Sequence, residues 1–338
     1  MMRCSRALCG TALALLLNAA FALAADKPTP PGQPKTGPGG AEYAHAEVTE
    51  TVLGQGDTQA WLYEPAKPAP ESAPVVVLLH GWGALDSRGY RAWINHLVRR
   101  GNIVIYPRYQ AGILTPPETM TGNTVAAIKS ALDELKKRGH VAPDEAKLAV
   151  VGHSLGAVIA VNLAAEGKRA GIPQPLAVMS IEPGDSKGSR TAQRFGREVK
   201  SVLTDYSTIP KGTLVLVVVG EEDYHVTDRT AKVIWDGVAH LPKEDRDFIT
   251  VGSDRRGTPA LVAGHFFPAA PESGVEIPGF SGVDALDYYA AWKLLDGLTD
   301  AAFYKKNRQY ALGDTPEQRF MGNWSDGIPV KELKVLKK

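Results

Sequence analysis

The chain has 338 residues, of which 44% are hydrophobic and 22% are charged, a composition typical of a globular protein large enough for one sizeable domain. Its 38 basic and 37 acidic residues give a formal net charge of +1, so charge offers no argument for binding to nucleic acid or to an anionic membrane. Both cysteines lie within the first ten residues, which excludes a disulfide, a cysteine nucleophile or a thiolate metal site in the rest of the chain.

The first 24 residues have the pattern of a secretory signal peptide. Arg3 and Arg6 are followed by an uncharged stretch from residue 8 to residue 25, and Ala22-Leu23-Ala24 is a small-X-small cleavage pattern. The short apolar run favours a signal peptide over an uncleaved membrane anchor. Cleavage would remove both arginines, leaving 36 basic against 37 acidic residues. We therefore expect an exported protein, periplasmic or secreted, without a stable membrane span after cleavage.

Residues 26–41 read DKPTPPGQPKTGPGGA, with five prolines and four glycines. Such a composition buries little apolar surface and is typical of linkers. We expect a flexible tether over residues 25–43, followed by one domain over residues 44–338.

Strand-like and helix-like segments alternate from about residue 44. Two early strands joined by a turn at residues 54–57 predict a hairpin, and continuous apolar runs predict strands buried on both faces. In this half of the chain we predict strands over 46–53, 58–63, 75–79, 103–106 and 147–151, and helices over 90–100, 123–138 and 155–166.

The second half continues the alternation. We predict strands over 176–181, 214–219 and 248–251, and helices over 193–204, 227–237 and 283–298. Strands that alternate with helices indicate a mainly parallel sheet covered by helices on both faces, a single α/β domain. Only about thirty residues separate the strands at 176 and 214, which predicts a short cap and an open site.

The pentapeptide Gly152-His153-Ser154-Leu155-Gly156 lies between a predicted strand and a predicted helix. Glycines on both sides of a serine allow a sharp strand-to-helix turn that exposes the hydroxyl above the sheet edge. Amide groups at the start of the helix can then face developing negative charge. Ser154 is therefore the candidate nucleophile.

A serine nucleophile needs a base, and the chain has eight histidines. His265 lies in a long Gly- and Pro-rich loop after the strand at 248–251, and loops of this length are often functional. His153 adjoins the serine and would point elsewhere in such a turn. We predict His265 as the base and expect solvated histidines at His45, His96, His140 and His240.

The base in turn needs a carboxylate. Asp223 follows the apolar strand at 214–219 and is the first candidate. Glu222 is its neighbour, and Glu182 and Asp185 follow the preceding strand, so these three acids remain open as alternatives.

The turn His80-Gly81-Trp82-Gly83-Ala84 follows the strand at 75–79 and is the candidate oxyanion turn. We predict the backbone N–H groups of Trp82 and Leu155 as the two oxyanion donors. Gly81, Tyr109 and Phe266 are the predicted substrate-binding residues.

These four features resemble those of the α/β-hydrolase-fold serine hydrolases, over about residues 45–300. The order Ser154, Asp223, His265 is the order in that family. The resemblance implies hydrolysis of carboxylic esters, of small-molecule or lipid-like type, through an acyl-enzyme and without a cofactor. The alternatives are a peptidase or amidase of the same fold and a catalytically silent binding protein. No spacing typical of metal ligands was found, and oligomeric state is not indicated.

Overall fold

A nine-stranded sheet forms the centre of the molecule. The computed structural model describes residues 27–185, 200–275 and 282–337. Aliphatic and β-branched runs in the sequence form its strands, which are β1 (Glu47–Leu53), β2 (Ala60–Ala66), β3 (Ser72–Leu79), β4 (Ile103–Pro107), β5 (Ala142–His153), β6 (Ala177–Ile181), β7 (Leu214–Gly220), β8 (Arg246–Val251) and β9 (Lys334–Val335).

The strand order is β1-β2-β4-β3-β5-β6-β7-β8-β9. The six strands from β4 to β8 in this order run parallel, and β1, β2 and β9 add antiparallel pairs at the two edges. The carboxyl ends of β3, β5, β6 and β7 therefore meet along one edge of the sheet. The predicted fold class, a mainly parallel α/β sheet of the α/β-hydrolase type, is confirmed.

Helices cover both faces of the sheet, because strand residues alternate between two apolar cores. Val76 and Leu78 of β3 face one core, whereas Val75, Val77 and Leu79 face the other. The helices are α1 (Arg91–Arg99), α2 (Pro117–Leu135), α3 (Leu155–Ala170), α4 (Arg229–Gly237), α5 (Lys293–Tyr304) and α6 (Pro316–Arg319). Residues of α1 and α5 line the first core, and residues of α2, α3 and α4 line the second.

Three predicted helices differ clearly from the observed ones. The helix predicted over 283–298 continues to Tyr304, where α5 ends. Helix α2 starts at Pro117, six residues before the predicted start, because proline and Glu118 suit a first helical turn. Of the predicted helix over 193–204, residues 193–199 lie outside the described residues, and 200–204 are not helical. The predicted short cap falls largely on the same part of the chain.

The N-terminal segment, residues 27–43, is not the predicted flexible tether along this stretch. It lies against the domain, where the Thr29 amide donates to Ser325 Oγ (3.0 Å) and the Gly39 amide donates to Asp296 Oδ2 (2.7 Å). Gly39 has a φ of +78°, and a Cβ there would lie 2.2 Å from the Tyr288 carbonyl oxygen. Prolines lose little conformational entropy on docking, so a Pro-rich segment is readily ordered once partners are present.

Within the described ranges, no helix has the length and apolar character needed to cross a membrane. The predicted signal peptide, residues 1–24, lies outside those ranges.

Candidate active site

Ser154 lies at a strained turn between β5 and α3. Its φ of +57° and ψ of −121° are rare for a residue with a side chain, and α3 begins at the next residue. The turn depends on its glycines, because a Cβ on Gly152 would lie 2.0 Å from the Gly156 carbonyl oxygen. A Cβ on Gly156 would lie 2.3 Å from the His80 carbonyl oxygen. The sequence GHSLG thus folds into a strand-to-helix elbow (residues 152–156) that lifts the serine hydroxyl above the sheet edge.

Three predicted side chains meet at this elbow. His265 Nε2 lies 3.0 Å from Ser154 Oγ, and His265 Nδ1 lies 2.7 Å from Asp223 Oδ2. Asp223 and His265 are buried, whereas Ser154 is half-buried. The other carboxylate oxygen of Asp223 accepts the amides of His225 (2.9 Å) and Val226 (3.1 Å), which fixes its orientation.

The charge of Asp223 sets the tautomer of His265. Burial alone would raise the pKa of Asp223, but the hydrogen bond and charge of His265 outweigh it and lower this pKa to about 2. An ionised carboxylate can only accept, so Nδ1 of His265 carries the proton. The lone pair on Nε2 is then directed at the serine hydroxyl.

The alternative acids take other partners. Asp185 accepts the Val202 amide (3.0 Å), and Glu222 accepts two hydrogen bonds from Arg255 (2.5 and 2.6 Å). Glu182 is fully buried beside Asp223, and burial together with the charge of Asp223 raises its pKa well above the usual range. Glu182 is therefore a neutral neighbour of Asp223, and Asp223 is the acid that contacts His265.

The predicted oxyanion turn (residues 80–84) passes directly beside the elbow. A Cβ on Gly81 would lie 3.2 Å from Ser154 Cβ, so the turn approaches the nucleophile closely and leaves little room for a side chain at residue 81. Within the described part of the chain, neither the Trp82 amide nor the Leu155 amide donates a hydrogen bond. The Leu155 amide also opens α3, where the helix dipole favours negative charge.

Two of the three predicted substrate-binding residues lie at the site. Gly81 adjoins the nucleophile, and Phe266 lies edge-on to His265 with ring centroids 5.1 Å apart. Tyr109 does not line the site, contrary to the prediction. Its ring is fully buried and stacked on His80 at 4.1 Å, and its hydroxyl donates to the His80 carbonyl (2.5 Å). Tyr109 supports the oxyanion turn from behind.

Further residues at the site were not singled out from the sequence. A Cβ on Gly184 would lie 3.5 Å from Ser154 Oγ and 2.6 Å from Val226 Cγ1. The exposed ring of His225 stacks on His265 at 5.3 Å. Position was the available signal for both, because Gly184 closely follows β6 and His225 follows the acid turn.

Exposed apolar side chains lie on loops that carry catalytic residues or pass beside the oxyanion turn. Ile113 and Leu114 are 49% and 59% exposed, and Ile113 Cγ2 lies 3.8 Å from where a Cβ on Gly83 would be. Tyr224, next to Asp223, is 76% exposed, and Val262, three residues before His265, is 46% exposed. We call these four residues the apolar rim.

Comparison with known proteins agrees with this architecture. Residues 62–221 match the family model of the chlorophyllases, which is just under half of the chain and includes the elbow. This match indicates an ester hydrolase of the α/β-hydrolase fold. The chain is also 27% identical over 132 residues to the non-reducing polyketide synthase ascC of Acremonium egyptiacum. That alignment covers 37% of this chain and 6% of the synthase, so the similarity is limited to a small part of that protein.

Proposed function

We propose that this α/β-hydrolase-fold protein is a serine hydrolase that cleaves carboxylic esters through an acyl-enzyme intermediate. The observation that carries the proposal is the continuous chain of contacts from Ser154 Oγ through His265 to Asp223, with distances of 3.0 and 2.7 Å. Nucleophile, base and orienting carboxylate are the groups that acyl transfer requires.

In the proposed reaction His265 Nε2 takes the proton of Ser154 as Oγ attacks the ester carbonyl carbon. The oxyanion of the tetrahedral intermediate accepts hydrogen bonds from the Trp82 and Leu155 amides. When the intermediate collapses, the bond to the alcohol oxygen breaks and His265 donates its proton to that oxygen. Water then attacks the acyl-enzyme with His265 again as base, which releases the acid and restores Ser154.

Asp223 has an electrostatic role in this scheme. Its carboxylate stabilises the imidazolium that forms on His265 in each transition state. Because its pKa is about 2, Asp223 stays ionised across the ordinary pH range. We therefore expect that protonation of Asp223 does not shape the pH–rate profile above about pH 4.

We propose a small-molecule or lipid-like ester with an apolar group as the substrate. The support is the apolar rim, in which Ile113 lies beside Gly83 of the oxyanion turn, Leu114 follows Ile113 in the chain, and Tyr224 and Val262 are close in sequence to Asp223 and His265. Large exposed apolar side chains that gather around a site favour apolar ligands.

Activity-based labelling and ester hydrolysis test the proposal together. We expect the purified wild type to react with a fluorophosphonate probe and to hydrolyse p-nitrophenyl esters across a series from acetate to palmitate. Ser154→Ala should lose labelling and several orders of magnitude in kcat, because the nucleophile is gone. Near-normal hydrolysis by Ser154→Ala would contradict the assignment. A folded wild type without labelling or turnover would indicate a binding protein, and p-nitroanilides measure any amidase activity.

We further propose that residues 1–24 direct export and are then removed, which the basic start and the small-X-small pattern support. The intact mass of the protein recovered from the periplasm or medium should correspond to a chain that starts at Ala25. The full-length mass in that fraction would contradict cleavage.

A further inference from the structure

A chain of buried hydrogen bonds runs behind the site and is not part of the proposed reaction. The Gly81 amide lies 3.1 Å from the Tyr90 hydroxyl oxygen, which in turn lies 2.6 Å from His153 Nδ1. On the other side of the same ring, His153 Nε2 lies 2.7 Å from the carbonyl oxygen of His265. Tyr90 and His153 are almost completely buried.

The partners determine the direction of every bond in this chain. A carbonyl can only accept, so Nε2 of His153 carries the proton and donates it to His265. Nδ1 of the neutral ring is then an acceptor, and the Tyr90 hydroxyl donates to it. The Tyr90 oxygen in turn accepts the Gly81 amide. Burial, with a contribution from the charge of His265, lowers the pKa of His153 to about 3 and keeps the ring neutral.

One end of the chain fixes the oxyanion turn. The Gly81 amide is held by Tyr90 (3.1 Å), and the Gly81 carbonyl accepts the Ala84 amide (3.2 Å). The Trp82 N–H belongs to the same planar trans peptide unit as the Gly81 carbonyl, so the two groups point in opposite directions. Fixing Gly81 on both sides therefore fixes the direction of the Trp82 amide.

The other end of the chain fixes the base. The His265 backbone is held through its own carbonyl to a ring that adjoins Ser154 in the sequence, although the two histidines are 112 residues apart. His153 is thus linked to the oxyanion turn through Tyr90, to the nucleophile as its neighbour in the chain, and to the base through the His265 carbonyl. Errors of about 1 Å in such groups cost up to about a hundredfold in rate.

We propose that Tyr90 and His153 are positioning residues that keep the oxyanion turn and the His265 backbone in register with Ser154. This role rests on the proposed esterase function. Neither residue contacts substrate in this role. His153 of the GHSLG elbow instead connects the oxyanion turn to the loop that carries His265.

Tyr90→Phe is the direct test, because it removes one hydroxyl and leaves the ring. Both the Gly81 amide and His153 Nδ1 then lose their partner. We expect kcat for a p-nitrophenyl ester to fall by about 10- to 100-fold with KM changed less than about threefold, and fluorophosphonate labelling to slow in parallel.

Tyr206→Phe is the matched control. Tyr206 is also buried and its hydroxyl donates to Asn162 Oδ1 (3.1 Å), on the face of the sheet covered by α2, α3 and α4. We expect a comparable loss of Tm in both variants but near-normal kcat in the control. Equal kcat in the two variants would overturn the inference.

Two substitutions of His153 add a second test. His153→Gln keeps one donor and one acceptor, whereas His153→Leu keeps neither, so Gln should retain at least tenfold more kcat than Leu. Equal kcat in folded Gln and Leu variants would also contradict the positioning role. If wild type and Tyr206→Phe neither label nor hydrolyse esters, it is the proposed function that fails, and this role fails with it.

Discussion

At the scale of single residues, Gly184 leaves space beside the nucleophile because it has no side chain. A methyl group there would lie 3.5 Å from Ser154 Oγ and only 2.6 Å from Val226 Cγ1. The first distance is ordinary contact, whereas the second forces Val226 to move. Gly184 and Val226 therefore limit the space beside the nucleophile.

We expect Gly184→Ala to lower kcat/KM by at least about tenfold, with the largest loss for acyl groups branched next to the carbonyl. The double variant Gly184→Ala/Val226→Ala should recover part of this activity, because it removes the atom with which the new methyl collides. Steady-state kinetics of both single variants and the double variant measure the coupling. Strictly additive effects would show that the two residues do not share this space.

A functional residue could be predicted from the sequence only where a local pattern marks it, and not where its role depends on a contact with a distant residue. Ser154 and His265 could be chosen from local pattern and loop position, but Asp223 could not be separated from Glu182 and Asp185. All three follow adjacent strands, and only their distances to His265 distinguish them. Tyr90 carried no signal, since its partner His153 is 63 residues away.

A similar reason explains two misplaced histidines and a tyrosine. His45 and His96, both expected to be solvated, are buried, and His96 Nε2 lies 2.9 Å from Asp296 Oδ2. Tyr109, expected in the substrate-binding wall, packs behind the oxyanion turn. Residue type and position in the chain fit a buried location as well as an exposed one, so the sequence could not show which of the two each residue occupies.

At the scale of elements, the helix that ends in α5 begins with a reciprocal cap. Asp284 Oδ1 accepts the Leu286 amide (2.7 Å), and Asp287 Oδ2 accepts the Asp284 amide (2.9 Å). Burial raises the pKa of Asp284 to about 6 and the pKa of Asp287 well above its usual range. The carboxyl groups of Asp284 and Asp287 therefore bind protons more tightly in the folded protein than in the unfolded chain.

This pKa gives Asp284→Asn a pH-dependent effect on stability. A carboxyl whose pKa rises from about 4 to about 6 on folding stabilises the protein below pH 4, and that stabilisation is lost as pH rises through 6. Asparagine keeps the capping oxygen without the charge. We expect the free energy of unfolding to rise by about 1–3 kcal/mol at pH 8 and to change little at pH 4.

Urea unfolding at the two pH values measures this difference. Asp133→Asn serves as the control, because its side chain is 77% exposed and should change stability by less than about 0.5 kcal/mol at either pH. A loss of stability in Asp284→Asn at pH 8 would contradict the argument.

Element positions were largely predictable because periodicity is local. The continuous apolar run of β7 and the helical spacing of apolar residues in α1 can both be read from consecutive residues. The π-helical turn at Asp287–Trp292 has ordinary helical spacing in the sequence, and the two-residue strand β9 is too short for any period.

At the scale of the whole molecule, Asp296 joins the N-terminal segment to the domain. This buried carboxylate accepts hydrogen bonds from the Gly39 amide (2.7 Å) and His96 Nε2 (2.9 Å), and it forms an ion pair with Arg100 Nε (3.1 Å). Burial would raise the pKa of Asp296, but His96, Arg100 and the Gly39 amide outweigh it and lower this pKa. The resulting stabilisation is present above pH 4 and is lost as pH falls through the folded pKa.

We expect Asp296→Asn to lower the free energy of unfolding at pH 7 by about 3–5 kcal/mol, because Arg100 and the Gly39 amide lose a buried anion. Limited proteolysis should also cut residues 27–43 faster than in the wild type. Asp300→Asn, which changes a half-buried acid on the same helix, is the control and should have a smaller effect on both. Unchanged proteolysis in Asp296→Asn would show that the segment is held by other contacts.

The alternation of strand-like and helix-like segments along the sequence predicted the α/β fold correctly. Composition was a poorer guide to residues 27–43, since it averages over a segment and cannot show that segment's partners elsewhere in the chain. Those partners are specific backbone and side-chain groups, such as Ser325, which lies 296 residues from Thr29.

The docking of this segment also constrains the order of folding. Pro31 packs against Gly322, where a Cβ would approach it to 2.8 Å, and the Gly39 amide needs Asp296 on the final long helix. A ribosome makes residues 27–43 early but their binding surface almost last. The segment therefore stays undocked during synthesis and can bind only after the rest of the domain has folded. Docking of residues 27–43 is thus a late step in folding.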